Sequence, residues 1–137
     1  MTLKNIPKEF QKGFILSHYR FERLIGQGGY GFIFVVHDIE DESPYAMKVE
    51  RIVPNKQGLK PEIKFLPQIQ GSPYFPECFD SGENEKYRWI VIEILGSSLS
   101  FARWQMRHDK FSKYTGLRCG IHMLKAIEEC HNRGFIH

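Results

Sequence analysis

The sequence contains no apolar run approaching the ~18 residues that a membrane-crossing helix needs. Its opening, Met1-Thr2-Leu3-Lys4-Asn5-Ile6-Pro7-Lys8-Glu9-Phe10, is polar and carries an acid and a proline, unlike a secretory signal. Cysteine is scarce: Cys78, Cys119 and Cys130 are odd in number, and none are at metal-ligand spacing. Neither a disulfide framework nor a zinc site is suggested. Dense Lys/Arg runs are missing, and a net charge of +3 is too small to argue for nucleic acid. Internal repeats and low-complexity tracts are missing too. These absences point to a soluble intracellular protein, cytoplasmic or also nuclear, with no membrane, nucleic-acid or metal site of its own.

What remains is ordinary globular material. Apolar residues make up 42% and charged residues 26% of 137. A chain of this length can bury roughly 65–70% of the surface its unfolded form exposes, enough for a sizeable core. The first 16 residues set Phe10, Phe14, Ile15 and Leu16 among lysines and read as a packed lead-in. Strand patterns follow at Tyr19–Ile25, Phe32–His37 and Pro44–Glu50, with an acidic turn between the last two. Pro54–Gly58 is a loop, and Pro61 suits the first turn of a helix whose Leu59, Glu62, Ile63 and Leu66 share one face. Pro67 should kink or end that helix. Phe75–Asp80 and Tyr87–Leu95 read as two more strands across the polar turn Ser81–Glu85. Beyond Gly96 the pattern is helical, at Leu99–Arg107 and at Lys113–Asn132, the second stopping at Arg133-Gly134. This order predicts an α+β chain: a sheet-based lobe, a hinge near Leu95-Gly96, then the start of a helical lobe.

The segment Ile25-Gly26-Gln27-Gly28-Gly29-Tyr30-Gly31-Phe32-Ile33 contains glycines at 26, 28 and 31. Such glycines let backbone N–H groups approach phosphate oxygens, although an ordinary hairpin turn uses glycine clusters as well. A dinucleotide fold would open a helix here, and a Walker loop would end in Gly-Lys-Ser/Thr. This sequence instead runs into the strand Phe32-Ile33-Phe34-Val35-Val36, so the glycines sit between two strands. In the next strand, Ala46 and Lys48 share a face. A small residue beside an inward lysine suits a planar base next to a phosphate-holding ammonium. An exposed strand lysine is the alternative. Glu62 stands on the apolar face of its helix, where a carboxylate needs a partner, and a lysine from the sheet would supply one. A surface glutamate on a short helix is again the alternative.

With these residues in place, the chain resembles the protein kinases from about Tyr19 to His137. The resemblance implies that fold: an N-terminal lobe of a five-stranded antiparallel sheet plus one helix (residues 19–96, after a lead-in of 1–18), then the first helices of the C-terminal lobe (97–137). It implies transfer of the ATP γ-phosphate to a protein serine or threonine, with ATP, Mg2+ and a protein substrate as the partners of the whole kinase. Gly26, Gly28 and Gly31, with Gln27, Gly29 and Tyr30 between them, would cover the phosphates. Lys48 would hold the α- and β-phosphates, and Glu62 would pair with Lys48. Ile25, Ile33 and Ala46 would pack on adenine, Ile92 would be the gatekeeper, and the Glu93 carbonyl and Leu95 N–H would bond the base.

Within the kinases the sequence is similar to the casein kinase I family and its tau-tubulin-kinase-like branch. The pointers are Met47-Lys48-Val49-Glu50, Leu59-Lys60-x-Glu62, Gln70-Gly71, Glu93-Ile94-Leu95-Gly96-x-Ser98-Leu99, Lys110-Phe111-Ser112 and Gly134-Phe135-Ile136-His137. Phe101 departs from the pattern, standing where relatives tend to carry an acid near the ribose. The last four residues match the approach to the His-Arg-Asp catalytic loop. The catalytic aspartate and the metal-holding residues that the resemblance implies have no counterpart up to His137. The expectation is therefore that these residues alone bind nucleotide weakly and transfer no phosphate. Two further hypotheses are a non-catalytic nucleotide- or partner-binding module and a structural role in which the glycine segment is only a hairpin. A broad apolar stripe on the last helix, including Leu117, Ile121, Leu124, Met123 and Ile127, predicts self-association unless covered. His18, His37, His108, His122 and His131, and Lys56, Lys60 and Lys64, are expected to serve only surface or packing roles.

Overall fold

The computed structural model describes residues 6–29 and 31–136. Two compact units emerge, one built from Met1–Gln68 and Glu77–Ile94, the other from Ile69–Pro76 and Leu95–His137.

The first unit is an antiparallel sheet of six strands: β1 (Ile15–Leu16), β2 (Tyr19–Gly28), β3 (Gly31–Asp38), β4 (Pro44–Arg51), β5 (Cys78–Glu83) and β6 (Tyr87–Ile92). They lie in the order β1-β2-β3-β4-β6-β5. Five of these answer the strands expected from the sequence; the sixth is the two-residue β1, which pairs Ile15 with Arg20 and Leu16 with Tyr19. Strand alternation gives the sheet two distinct faces. One face sends Phe21, Phe32, Phe34, Val36, Met47, Val49, Trp89 and Val91 into a single core. The lead-in closes that core. Phe10 is buried, with its ring 5.0 Å from that of Tyr87 and 5.5 Å from that of Phe21. Tyr87 Oη also donates to Glu9 at 2.6 Å, which holds the Glu9 carboxyl below its ordinary range.

Helix α1 (Lys60–Phe65) follows β4 and packs against β6. It is short because Pro67 lacks the N–H that would continue it; the chain tightens into a 3-10 turn at Leu66–Ile69. β5 lies three residues later than its apolar pattern predicts. Pro76 supplies no ladder donor, and the polar Ser81-Gly82-Glu83 pairs with β6 instead of turning.

The second unit holds α2 (Leu99–Trp104) and α3 (Lys113–Asn132). Ser98 caps α2, accepting from the Phe101 N–H at 3.2 Å, and Ser112 caps α3, accepting from the Thr115 N–H at 3.1 Å. α2 stops short of the expected Arg107; a separate 3-10 turn, Arg107–Asp109, follows with His108 at φ 62°. Gly134, at φ +81°, ends α3. The 69–76 segment is tied to α3 by Ser72 Oγ donating to Glu129 at 2.6 Å and Arg133 donating to the Gln70 carbonyl at 3.4 Å. On α3, Leu117 is 70% and Leu124 69% exposed, so the stripe read from the sequence faces outward there. No helix among the described residues is long and apolar enough to cross a membrane.

Two measurements follow from this architecture. Truncating Phe10 empties the centre of an aromatic cluster, so Phe10→Ala should lower unfolding stability by about 3–5 kcal/mol in urea titrations. Glu22 and His37 form an ion pair at 3.0 Å. The hydrogen bond that His37 donates to Glu22 lowers the Glu22 carboxyl below its ordinary 4.5 and raises the His37 imidazole above its ordinary 6.5. The carboxylate's contribution is present above 4.5 and lost as pH falls through its depressed value. The imidazolium's is present below 6.5 and lost as pH rises through its elevated value. The stability difference between the parent chain and His37→Gln should therefore peak between those two ordinary values and shrink in alkaline solution.

Candidate nucleotide site

The sheet's second face carries the residues singled out in the sequence. β4 pairs Lys48 with Ile33 of β3 and Ile90 of β6, and pairs Ala46 with Val35 and Ile92. Directly opposed residues point to the same side of a sheet, so Ile33, Ala46, Lys48 and Ile92 share one surface. Ala46 is buried and Lys48 half-buried, giving a flat apolar floor with one cation on it.

The glycine segment is a tight connection between β2 and β3. Gly26 pairs with Ile33, Gln27 with Phe32 and Gly28 with Gly31; the ladder shifts register between Leu24 and Gly26, beside Ile25. Tyr30 lies outside the described residues. At Gly28 and Gly29 an added side chain would meet nothing within 4 Å, so their backbone faces open space. Gly31 is different. It has φ +128°, and a Cβ there would run into the Val49 carbonyl. Only glycine lets the hairpin return this closely over β4.

Glu62 reaches the sheet. Its carboxylate accepts from the Lys48 ammonium, joining α1 to β4. Their side chains are 35% and 21% exposed, so each charge is partly withdrawn from water and stabilised by the other. A cleft of about 650 Å³ lies between the glycine hairpin, the end of β4 and α1, and its walls include Gly29, Gly31 and Glu62. Lys48, Ile25, Ile33, Ala46 and Ile92 stand outside its lining. Beyond β6, the Glu93 N–H donates to the Glu77 carbonyl at 3.1 Å, while the Glu93 side chain accepts from the Glu77 N–H at 3.1 Å. Leu95 belongs to the second unit and is exposed.

The structure also presents residues that the sequence did not single out. Glu50 follows Lys48 by two positions and stands opposite Arg88 in the ladder. Arg88 is the buried charged side chain of the unit, at 6% exposure. It donates to Glu83 at 2.8 Å and to Glu50 at 3.3 Å. Glu83 pushes the Arg88 guanidinium above its ordinary value, and Arg88 pulls the Glu83 carboxyl below its own. The local signal was the alternation itself, which sets an acid on the same strand face as Lys48.

Comparison with known proteins identifies a family and several relatives. The model of the protein kinase domain matches residues 19–137. A probable serine/threonine-protein kinase of Dictyostelium discoideum is 34% identical over 123 residues, covering 90% of this chain and 25% of that protein. A putative casein kinase I of Caenorhabditis elegans is 27% identical over 127 residues, covering 89% of this chain and 37% of that protein. A probable casein kinase I homolog of Encephalitozoon cuniculi is 31% identical over 125 residues, covering 89% of this chain and 39% of that protein. The chain thus spans between a quarter and two-fifths of the length of these relatives.

The hairpin's close return predicts a specific sensitivity. Gly31→Ala should destabilise the chain by more than about 1 kcal/mol, read as a lower thermal midpoint, because a side chain there is strained in φ and blocked by Val49. Gly28→Ala meets no such obstruction and should fold with a much smaller loss.

Proposed function

The chain belongs to the protein kinase domain family, and from that premise we propose that it is the ATP-binding part of a serine/threonine protein kinase. The observation that carries this is the pairing of Lys48, which stands opposite Ile33 of the strand leaving the glycine hairpin, with Glu62 of the following helix. The backbone at Gly26, Gly28 and Gly31, with Gln27, Gly29 and Tyr30 between, covers the phosphates. Lys48, oriented by Glu62, holds the α- and β-phosphates. Ile25, Ile33 and Ala46 pack on adenine, Ile92 closes the back of its pocket, and the Glu93 carbonyl bonds its edge.

The residues suit ATP. A fixed cation and an open glycine backbone favour an anionic chain of phosphates, and an apolar floor with a small residue favours a flat base. Holding the nucleotide is the contribution of these residues to phosphoryl transfer, a reaction that depends on positioning and charge stabilisation. Magnesium would accompany the phosphates. The described residues hold no cluster of three His, Cys, Asp or Glu side chains able to fix a metal. Placement in the casein kinase I family is supported by the C. elegans and E. cuniculi relatives and by the run Met47-Lys48-Val49-Glu50. The whole protein would pass the γ-phosphate to a protein serine or threonine.

Thermal unfolding with magnesium-ATP tests the site. At ten times its dissociation constant, ATP should add about 1.4 kcal/mol of stability and raise the melting temperature. Lys48→Met should remove that response. A mutant that responds fully would overturn the role of Lys48, and a parent chain that does not respond would overturn the nucleotide reading.

A further inference from the structure

The contacts of Glu50 point past the Lys48–Glu62 pair to what holds it in place. Glu50 lies on β4 two residues after Lys48 and on the same face. Its side chain is 12% exposed. One carboxylate oxygen accepts from the backbone N–H of Leu59 at 2.7 Å and from Arg88 at 3.3 Å. Leu59 is the residue at which α1 begins, and it is fully buried. No side chain of α1 itself caps that end. Gly58, immediately before it, has φ +51°, and a Cβ there would run into the Glu50 carboxylate. The chain therefore passes directly over Glu50 as it enters the helix, and a side chain at 58 would have to push the carboxylate aside.

A carboxylate this sheltered needs its charge answered, and Arg88 answers it from the neighbouring strand while being held in turn by Glu83. The ladder Glu83–Arg88–Glu50 thus crosses three strands and ends on the first turn of α1. Glu62 lies three residues beyond Leu59, less than one helical turn away. A lateral shift of the helix entrance is carried almost undiminished to the Glu62 carboxylate.

We propose that Glu50, braced by Arg88, is a positioning residue that pins the start of α1 to β4 and so sets Glu62 against Lys48. The strand that carries the phosphate-holding lysine also fixes where the lysine's partner stands. This inference rests on the nucleotide reading of the site, since its effect is on how Lys48 is presented to phosphate.

The test is magnesium-ATP affinity of the full chain, measured by calorimetric titration, for Glu50→Ala, Glu50→Gln and Gly58→Ala, and for Glu50→Ala combined with Glu62→Ala. Loss of a charge-assisted anchor predicts about tenfold weaker binding for Glu50→Ala. Gly58→Ala displaces the carboxylate from the other side and should weaken binding similarly. Glu50→Gln keeps an oxygen for the Leu59 N–H and should recover most of the affinity. Because Glu50 acts through Glu62, its removal should cost nothing more in the Glu62→Ala background. In the free protein, the Leu59 amide should be protected from hydrogen exchange in the parent and in Glu50→Gln, and unprotected in Glu50→Ala. Parent-like ATP binding by Glu50→Ala, or an undiminished effect in the Glu62→Ala background, overturns the proposal while leaving the nucleotide site standing. A parent chain that binds no ATP overturns both. If Glu50→Ala does not fold, Gly58→Ala and Glu50→Gln decide the matter by the same criteria.

Discussion

The two-residue period of β4 is the constraint on which the first unit rests. Met47 and Val49 point into the aromatic core, and both are fully buried. Ala46, Lys48 and Glu50 are thereby committed to the opposite face. The core contacts fix the strand, and the strand fixes a small residue, a cation and an acid in one row. Neighbouring strands complete each position: Ile92 beside Ala46, Ile33 beside Lys48, Arg88 beside Glu50. A site whose side chains must stand in a set geometry is well served by a central strand, since its rotation is blocked by the core on the other side.

The core that anchors this arrangement is aromatic and includes residues ahead of the family match. Phe10 contacts Phe14, Phe21, Phe32, Phe34 and Tyr87 with ring centroids between 5.0 and 6.3 Å. Its burial ties the lead-in to three different strands at once. Large rings supply much apolar area per residue, which matters in a unit that packs only one face of its sheet into this core. Phe32 belongs to this core and also directly follows the glycine hairpin, so its packing steadies the strand end from which the hairpin returns.

Much of this was legible locally. The glycine hairpin between two strands, the face shared by Ala46 and Lys48, and the acid on the apolar side of α1 all follow from short-range pattern, and the Lys48–Glu62 contact joins them. The span of α3 matched its expected limits because Ser112 and Gly134 bracket a long periodic segment. β5 was displaced because the apolar Phe75-Pro76 resembled a strand start, whereas Gly82 and its polar neighbours, opposite Trp89 in the ladder, resembled a turn. The Glu50–Arg88–Glu83 ladder was not legible at all. It joins residues up to 38 positions apart, and only the register of three strands brings them together.

That ladder bears on how the sheet assembles as well as on what it does. A one-residue slip of β6 against β4 would exchange its faces, turning Arg88 toward Phe32 and Val49 and sending Trp89 outward. A guanidinium driven into an aromatic interior without a carboxylate is strongly disfavoured. The three charges therefore act as a proofreading device for strand alignment: the misthreaded sheet is rejected by its own electrostatics. In the observed register Lys48 stands on the face opposite the aromatic core.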